Sequence, residues 1–265
     1  MNFQIIGGDE RQQYLTEFLE EKGFSVFRKI EEKDPEPRQD ADYMILPLPA
    51  SRDGRSVWMP RCSHSYDLKH LISTFRGRAI LGGMLPKLAS PCSLIDYYQN
   101  ESLLWANAAL TAEGALGLAI GAAPFSLWEA SCIILGAGRI GKILAHRLKA
   151  LGAKVIVGAR REAALAELRA MGIEGRRLED LPLGRGSILF NTIPAPILDQ
   201  ERLKRLPEGA ILIELASAPG GYDAEEAAAL GLTSINGQGL PGRFSPQTAA
   251  RLIGETILKE IENHA

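Results

Sequence analysis

The sequence predicts an α/β protein of two parallel-sheet lobes, and three observations carry that prediction. Short apolar runs separated by helix-length amphipathic stretches recur from end to end. One of them, Cys132-Ile133-Ile134-Leu135, feeds directly into Gly136-Ala137-Gly138-Arg139-Ile140-Gly141, a glycine-spaced turn that opens a helix. And 265 residues are many for one compact core but comfortable for two lobes of ordinary size.

Taken in order, strands are expected at residues 3–6, 24–27, 43–46 and 79–81, with a helix at 11–22 and surface loops at 34–37 and 51–65. This first lobe reads as a smaller, flavodoxin-like parallel α/β domain. A helix-compatible segment, 101–122, ends near Pro124. The second lobe has strands near 132–135, 155–157, 188–191, 211–215 and 233–235, with crossover helices near 162–171 and 223–230. A last helix, about 246–262, carries Leu252, Ile253, Thr256 and Ile257 on one side and is expected to pack back on the first lobe. The expected division is 1–122 with 245–265, and 123–244 as a Rossmann dinucleotide-binding domain, which would set a substrate cleft between the lobes.

Composition narrows the function classes. Apolar content of 46% and charged content of 23% suit a soluble globular chain. A net charge of −2 gives no general electrostatic reason to expect nucleic acid or an anionic membrane. No basic segment followed by an apolar run precedes the first strand, so a cytoplasmic location is expected. The most apolar stretch, around 103–118, is interrupted by Asn107, Glu113 and small residues, which argues against a membrane span. Cys62, Cys92 and Cys132 are odd in number and widely spaced, so no disulfide framework is expected; Cys62 and His64 lack a second close pair, so no metal is.

The glycine turn carries the cofactor reading. Gly136 permits the tight turn, Gly138 the approach of a pyrophosphate and Gly141 close helix packing, with Ala137, Arg139 and Ile140 completing the loop at a helix N-terminus whose dipole attracts anions. The next strand ends in Ala159, Arg160 and Arg161 where an NAD site usually places Asp or Glu. Two guanidinium groups suit a 2′-phosphate, so NADP is expected rather than NAD; a merely solvated arginine pair is the competing view. Asn191-Thr192-Ile193-Pro194 ends a later strand and either holds the nicotinamide ribose or is an Asn-capped proline turn. Ala216 and Ser217, before Pro219-Gly220-Gly221, are small enough to let a flat ring approach the backbone.

On the substrate side, Gly7-Gly8-Asp9-Glu10-Arg11-Gln12 follows the first strand. Gly8 and the helix start could cradle a carboxylate and Arg11 could pair with it, or Asp9 is only an N-cap. Asn107 and Thr111 share a helix face and either point into the cleft or form a satisfied buried network. Gly239, itself a candidate cofactor contact, begins a constrained loop ending in Arg243, a candidate second carboxylate anchor. The histidines, His64, His70, His146 and His264, sit in no motif, and no nucleophilic triad is visible; hydride transfer requires none.

Together these stretches, with Thr111-Ala112-Glu113-Gly114, Leu151-Gly152-Ala153, Leu215-Ala216-Ser217 and Gly239-Leu240-Pro241-Gly242, resemble the A-subunit family of dipicolinate synthase from endospore-forming bacteria. The resemblance implies a two-lobed oxidoreductase in the mother cell. It would work with the smaller, flavoprotein-like B subunit of dipicolinate synthase and convert a dihydrodipicolinate-type dicarboxylate, or its hydroxy-tetrahydro precursor, to pyridine-2,6-dicarboxylate with NADP as acceptor. A homo-oligomer is expected as well. Asp9 and Glu113 are the candidates for proton removal. The chain departs from the family at Gln247, where lysine is frequent, and at Ala218, where arginine is. Two other readings compete: a generic NADP-dependent dehydrogenase resembling the shikimate and hydroxyacid enzymes, against which the lack of a motif-placed His or Lys counts, and a nucleotide-sensing or scaffolding protein.

Overall fold

The computed structural model describes residues 1–38 and 40–264; Ala265, the last residue of the expected C-terminal segment, lies outside them. In chain order the elements are β1 (Asn2–Ile6), α1 (Glu10–Glu21), β2 (Ser25–Lys29), β3 (Tyr43–Ile45), α2 (Leu68–Thr74), β4 (Ala79–Gly82), β5 (Ser93–Asp96) and α3 (Glu101–Ala122). There follow β6 (Ser131–Leu135), α4 (Arg139–Ala150), β7 (Lys154–Ala159), α5 (Glu162–Ala170), β8 (Glu174–Arg177), β9 (Ile188–Asn191), α6 (Gln200–Leu203), β10 (Ile211–Glu214), α7 (Ala224–Ala229), β11 (Thr233–Asn236), α8 (Leu240–Phe244) and α9 (Pro246–His264).

The chain divides into two compact units. Met1–Asn107 and the segment from Ser245 onward form the first, Ala108–Phe244 the second. The sequence pattern places the division after residue 122. The contacts place it inside α3, because Ala112, Ala115 and Ala119 are wholly buried among the core residues of the second unit.

In the first unit the described residues form a parallel sheet in the order β2-β1-β3-β4-β5, the flavodoxin-like order. Side chains alternate between its faces, as strand geometry requires. Phe3 and Ile5 meet Leu15 and Leu19 of α1 and Ile253 and Ile257 of α9. Ile6, Met44 and Ile80 meet Leu68, Leu71 and Ile72 of α2 on the other face. A Cβ on Gly254 would run into the Phe18 ring, so this glycine sets how closely α9 lies on α1. The last helix thus packs on the first lobe, as its apolar stripe predicts.

In the second unit the order is β11-β10-β9-β6-β7-β8, again parallel, with chain order reversing at β6 and β9 as in dinucleotide-binding sheets. Cys132, Ile134 and Val157 are packed with Leu144 and Leu148 of α4; Ile133, Leu135 and Leu189 belong to the cluster on the opposite face.

Five elements differ from the sequence expectation. Strands β5 and β8 and helices α2 and α6 have no counterpart in it, and the Gly239–Arg243 stretch is not a loop throughout but folds into α8 after Gly239. By length and hydropathy, a mean of 1.4 over its best window, α3 meets the requirement for a membrane span. Its Asn107 and Glu113 therefore do not lower it below that requirement; its buried alanines give it the place of a core helix.

Candidate functional site

Strand β6 delivers the glycine turn, and the three glycines do different work. Gly136 holds φ at +106°, and its N–H donates to the Gly158 carbonyl at 2.9 Å; a Cβ there would overlap the Thr192 hydroxyl. A Cβ on Gly141 would overlap the Gly136 carbonyl oxygen. Both glycines are therefore required by the fold. Gly138 is required by nothing inside the chain: a Cβ there would meet no atom within 4 Å. It is the N-cap of α4 and, having no side chain, offers no capping acceptor of its own to the first turn. Open space in front of a 12-residue helix start without a capping side chain is what a pyrophosphate needs. The residues present therefore fit a dinucleotide.

Beyond the turn, β7 ends at buried Ala159 and exposed Arg160. Arg160 lines a hollow of about 340 Å³ with Leu178, Glu179, Pro196, Ile197, Asp199 and Arg202. Arg161 is the N-cap residue of α5 and is not among the lining residues, so the two expected arginines separate. Arg202, which the sequence pattern does not single out, takes the second cationic place; one of its N–H groups donates to the Ile197 carbonyl at 2.7 Å. The Asp199 carboxylate caps α6 by accepting the Arg202 N–H. No motif marks Arg202, because only the turn after β9 brings it beside the end of β7.

At the end of β9, Asn191 is fully buried. Its amide donates to the Glu214 carboxylate at 2.7 Å and to the Ile193 carbonyl at 3.0 Å, while its oxygen accepts the Ile193 N–H at 3.1 Å. Of the two readings kept open for Asn191, the capped turn is correct and the ribose contact through its amide is not, since every polar atom of that amide is engaged. Thr192 is likewise turned inward, its hydroxyl donating to the Leu135 carbonyl at 2.7 Å. Glu214, equally unmarked in the sequence, gathers the surrounding backbone: it accepts from the N–H groups of Ala216 at 2.9 Å and Gly221 at 2.8 Å. Ala216 is buried and Ser217 exposed on the loop so tethered, and Gly239 stands before α8 with open space around it.

Burial raises the carboxyl pKa of Glu214, opposed by the bonds from Gly221, Asn191 and Ala216. A raised folded-state pKa means that the folded chain holds this proton more tightly than the unfolded chain does. Stability then falls as pH climbs from the ordinary glutamate value of 4.5 through the folded pKa. Glu214→Gln cannot ionise, and its amide hydrogens would confront a backbone donor. We expect it to lose about 1–2 kcal/mol at pH 7 and to lack this component of the pH dependence; urea unfolding between pH 4 and 7 checks both.

The glycine pair after β1 turns out differently from the one after β6. Gly8 donates its N–H to the Trp58 carbonyl at 2.7 Å, and Gly7 donates to the Lys29 carbonyl at 2.8 Å. Asp9 caps α1 and accepts the Arg11 backbone N–H at 3.1 Å, Nε at 2.8 Å and Nη2 at 3.0 Å; Nη2 also donates to the Leu48 carbonyl at 2.6 Å. The expected carboxylate cradle of Gly8 and Arg11 is thus filled by the chain itself: the segment after β3 folds over the carboxyl end of β1. Asp9 is an N-cap and counter-ion to a buried arginine rather than an open base, which corrects its expected role.

The remaining candidates scatter. Glu113 is exposed on α3, 4.0 Å from Arg147. Asn107 donates to the Tyr98 hydroxyl at 3.1 Å, and Thr111 is buried. Arg243, on α8, donates to the carbonyls of Asn236 at 2.9 Å and Gln238 at 3.4 Å. The Cys62 thiol lies 3.4 Å from the Ile30 carbonyl and the His64 ring 3.4 Å from Glu32; among the described residues no three metal-ligating side chains converge.

Comparison with known proteins agrees with this geometry. Residues 2–93 match the family described as the N-terminal domain of the dipicolinate synthase A subunit, and residues 121–234 match the NAD-binding domain of D-isomer specific 2-hydroxyacid dehydrogenases. The dipicolinate synthase A subunit of Bacillus subtilis (strain 168) is 29% identical over 98% of this chain and 95% of its own length. The crystal structure of the dipicolinate synthase A subunit from Bacillus halodurans superposes with a TM-score of 0.84 at 27% identity, covering 98% of this chain and 97% of that one. The apo structure of D-lactate dehydrogenase from Escherichia coli, at 11% identity, TM-score 0.63 and coverage of 100% and 98%, shares the fold alone. With the N-terminal domain, the dinucleotide-binding domain and nearly the full length all matched, the chain is similar from end to end to the A subunits of dipicolinate synthase.

Proposed function

We propose that the chain is the dehydrogenase component of a dipicolinate synthase, taking a dihydrodipicolinate-type substrate to pyridine-2,6-dicarboxylate with NADP⁺ as acceptor. The observation that carries this is the contrast between the two glycine ends: the turn before α4 is open at Gly138 and its helix has no side-chain cap, whereas the turn before α1 is filled by its own chain. Bound there, NADP⁺ supplies the hydride acceptor; the substrate gives up one hydride and one proton, and formation of the aromatic ring supplies driving force. The residues of the chain bind and orient. Backbone N–H groups at the start of α4 hold the pyrophosphate. Arg160 and Arg202 hold the 2′-phosphate as paired guanidinium groups. Glu214 and Asn191 fix the loop through Ala216 and Ser217 that gives a flat ring access to the backbone. Arg243 remains the anchor for one substrate carboxylate. Partnership with a flavoprotein-like B subunit, self-association and a cytoplasmic setting in the mother cell belong to the same proposal.

The test is direct. The purified chain, with and without the proposed B subunit, is given freshly generated dihydrodipicolinate and NADP⁺, and NADPH absorbance is followed together with terbium luminescence of the product. Both signals are expected to rise in step, and the two mixtures report whether the partner is required. No rise above spontaneous oxidation in either mixture, with NADPH still bound, overturns the proposal in favour of a nucleotide-sensing protein.

A further inference from the structure

One wall of the hollow beside Arg160 is built from a single stretch of chain. Pro196, Ile197, Asp199 and Arg202 come from the turn after β9 and from α6. The turn lies outside the sheet, so its position is set by what grips its two ends. At the near end the Asn191 amide holds Ile193, donating to its carbonyl at 3.0 Å and accepting its N–H at 3.1 Å. At the far end the N–H groups of Ile197 and Leu198 both donate to the Gly221 carbonyl at 2.9 Å. The Ile197 carbonyl accepts Nη1 of Arg202 at 2.7 Å and so holds that guanidinium at the hollow. The two grips meet at one carboxylate. Oε1 of Glu214 accepts from the same Asn191 amide at 2.7 Å, and Oε2 accepts the N–H of the same Gly221 at 2.8 Å. They are also packed on each other, since a Cβ on Gly221 would overlap the Asn191 amide.

We infer that Glu214, which is not among the residues lining the hollow, is a positioning residue for it: through Asn191 and Gly221 it sets the place of Arg202, and with it the discrimination of a 2′-phosphate. The inference rests on the proposed function, which puts that phosphate between Arg160 and Arg202. An ionised carboxylate accepts from Asn191, Ala216 and Gly221 together without offering a donor of its own. An amide in its place turns an N–H group on one of those donors, and the turn has to move to relieve the conflict. A guanidinium pairs with a phosphate through two parallel bonds, so a wall displaced by about 0.5 Å loses a geometry that a point charge would keep. Holding Arg202 in place beforehand also spares binding the ordering of a long side chain.

Calorimetric titration of the full-length chain with adenosine 2′,5′-bisphosphate and with adenosine 5′-monophosphate tests this. The two probes differ only in the 2′-phosphate, and neither carries a nicotinamide, so a change confined to the loop through Ala216 and Ser217 leaves the ratio of their affinities alone. The parent is expected to prefer the bisphosphate. Arg202→Ala should lower that preference roughly 10-fold and Glu214→Gln roughly three- to tenfold, the range for one lost hydrogen bond. Glu214→Asp keeps the charge and should recover part of it, whereas Gly221→Ala, which pushes on the Asn191 amide, should lower it. Combining Glu214→Gln with Arg202→Ala should be no worse than Arg202→Ala alone, because the carboxylate acts through that arginine. Leu148→Val, which loosens α4 away from the turn, should lower the thermal midpoint and leave the preference unchanged. A parent-like preference in Glu214→Gln, an equal loss in Leu148→Val, or additive losses in the double variant overturns the inference and leaves the proposed function standing. If Glu214→Gln does not fold, Glu214→Asp and Gly221→Ala read the same ratio, and a parent-like preference in both overturns the inference. A parent without the preference, or an Arg160→Ala variant that keeps it, overturns the 2′-phosphate reading itself, and the inference falls with it.

Discussion

Gly138→Val is expected to cost little stability and to weaken NADPH and NADH alike by a factor of roughly 10 to 100, equivalent to losing one set of charged hydrogen bonds. The reasoning is steric. Gly138 has φ −80° and ψ −169°, extended backbone that any residue adopts, and a side chain there enters open space rather than protein. That open space is where a pyrophosphate would meet the first turn of α4. Gly141→Ala is the control. Its Cβ would press on the Gly136 carbonyl, a backbone atom with nowhere to go, so it should destabilise the fold by about 3 kcal/mol, the upper part of the overpacking range. Fluorescence titration of both coenzymes, with thermal unfolding of each variant, separates the two effects. Retained affinity in the valine variant would sink the assignment of the turn to a phosphate.

Arg160→Ala is expected to separate the coenzymes from each other. NADPH should weaken roughly 10- to 100-fold and NADH by less than about twofold, because only the former offers a phosphate to a guanidinium. Arg160 is exposed at the end of β7, so its removal opens no cavity, and Arg202 keeps one cation in the hollow. The double variant with Arg202→Ala should therefore lose more than the single. Equal ratios of the two affinities before and after substitution would show that the paired arginines are only a solvated rim and that the acids Glu179 and Asp199 set an NAD preference.

What the sequence disclosed follows the range of the interactions involved. Strands buried on both faces, such as Ile188–Asn191 and Ile211–Glu214, announce themselves as apolar runs because parallel sheets demand it. Strands β5 and β8 lie at sheet edges. Ser93 and Asp96 flank the first, and Glu174-Gly175-Arg176-Arg177 makes up the second, so no apolar run marks either. The glycine turn before α4 was legible because strand, turn and helix are contiguous and its neighbours are local. The pair before α1 looks the same on paper. Its closure depends on Leu48 and Trp58, some 40 to 50 residues away, and nothing in Gly7-Gly8-Asp9-Glu10-Arg11 reveals that those carbonyls will arrive. Glu214 escaped for a related reason: a single acid closing an apolar strand looks like the first exposed residue of a loop until Asn191 from the neighbouring strand donates to it.

The division within α3 bears on where this chain can be cut. A fragment beginning at residue 123, where sequence periodicity would start the second domain, discards Ala112, Ala115 and Ala119. It also discards the Ala109 carbonyl that Arg147 of α4 reaches at 2.6 Å, and the glycines at 114 and 117 against which Leu240 and Phe244 rest. Such a fragment would carry a raw hydrophobic seam along α4 and α8 and would tend to clump or to hide it by pairing. Starting at Ala108 instead takes along the strip of helix that seals the seam. The portable nucleotide module of this protein therefore begins half a helix earlier than its strands suggest.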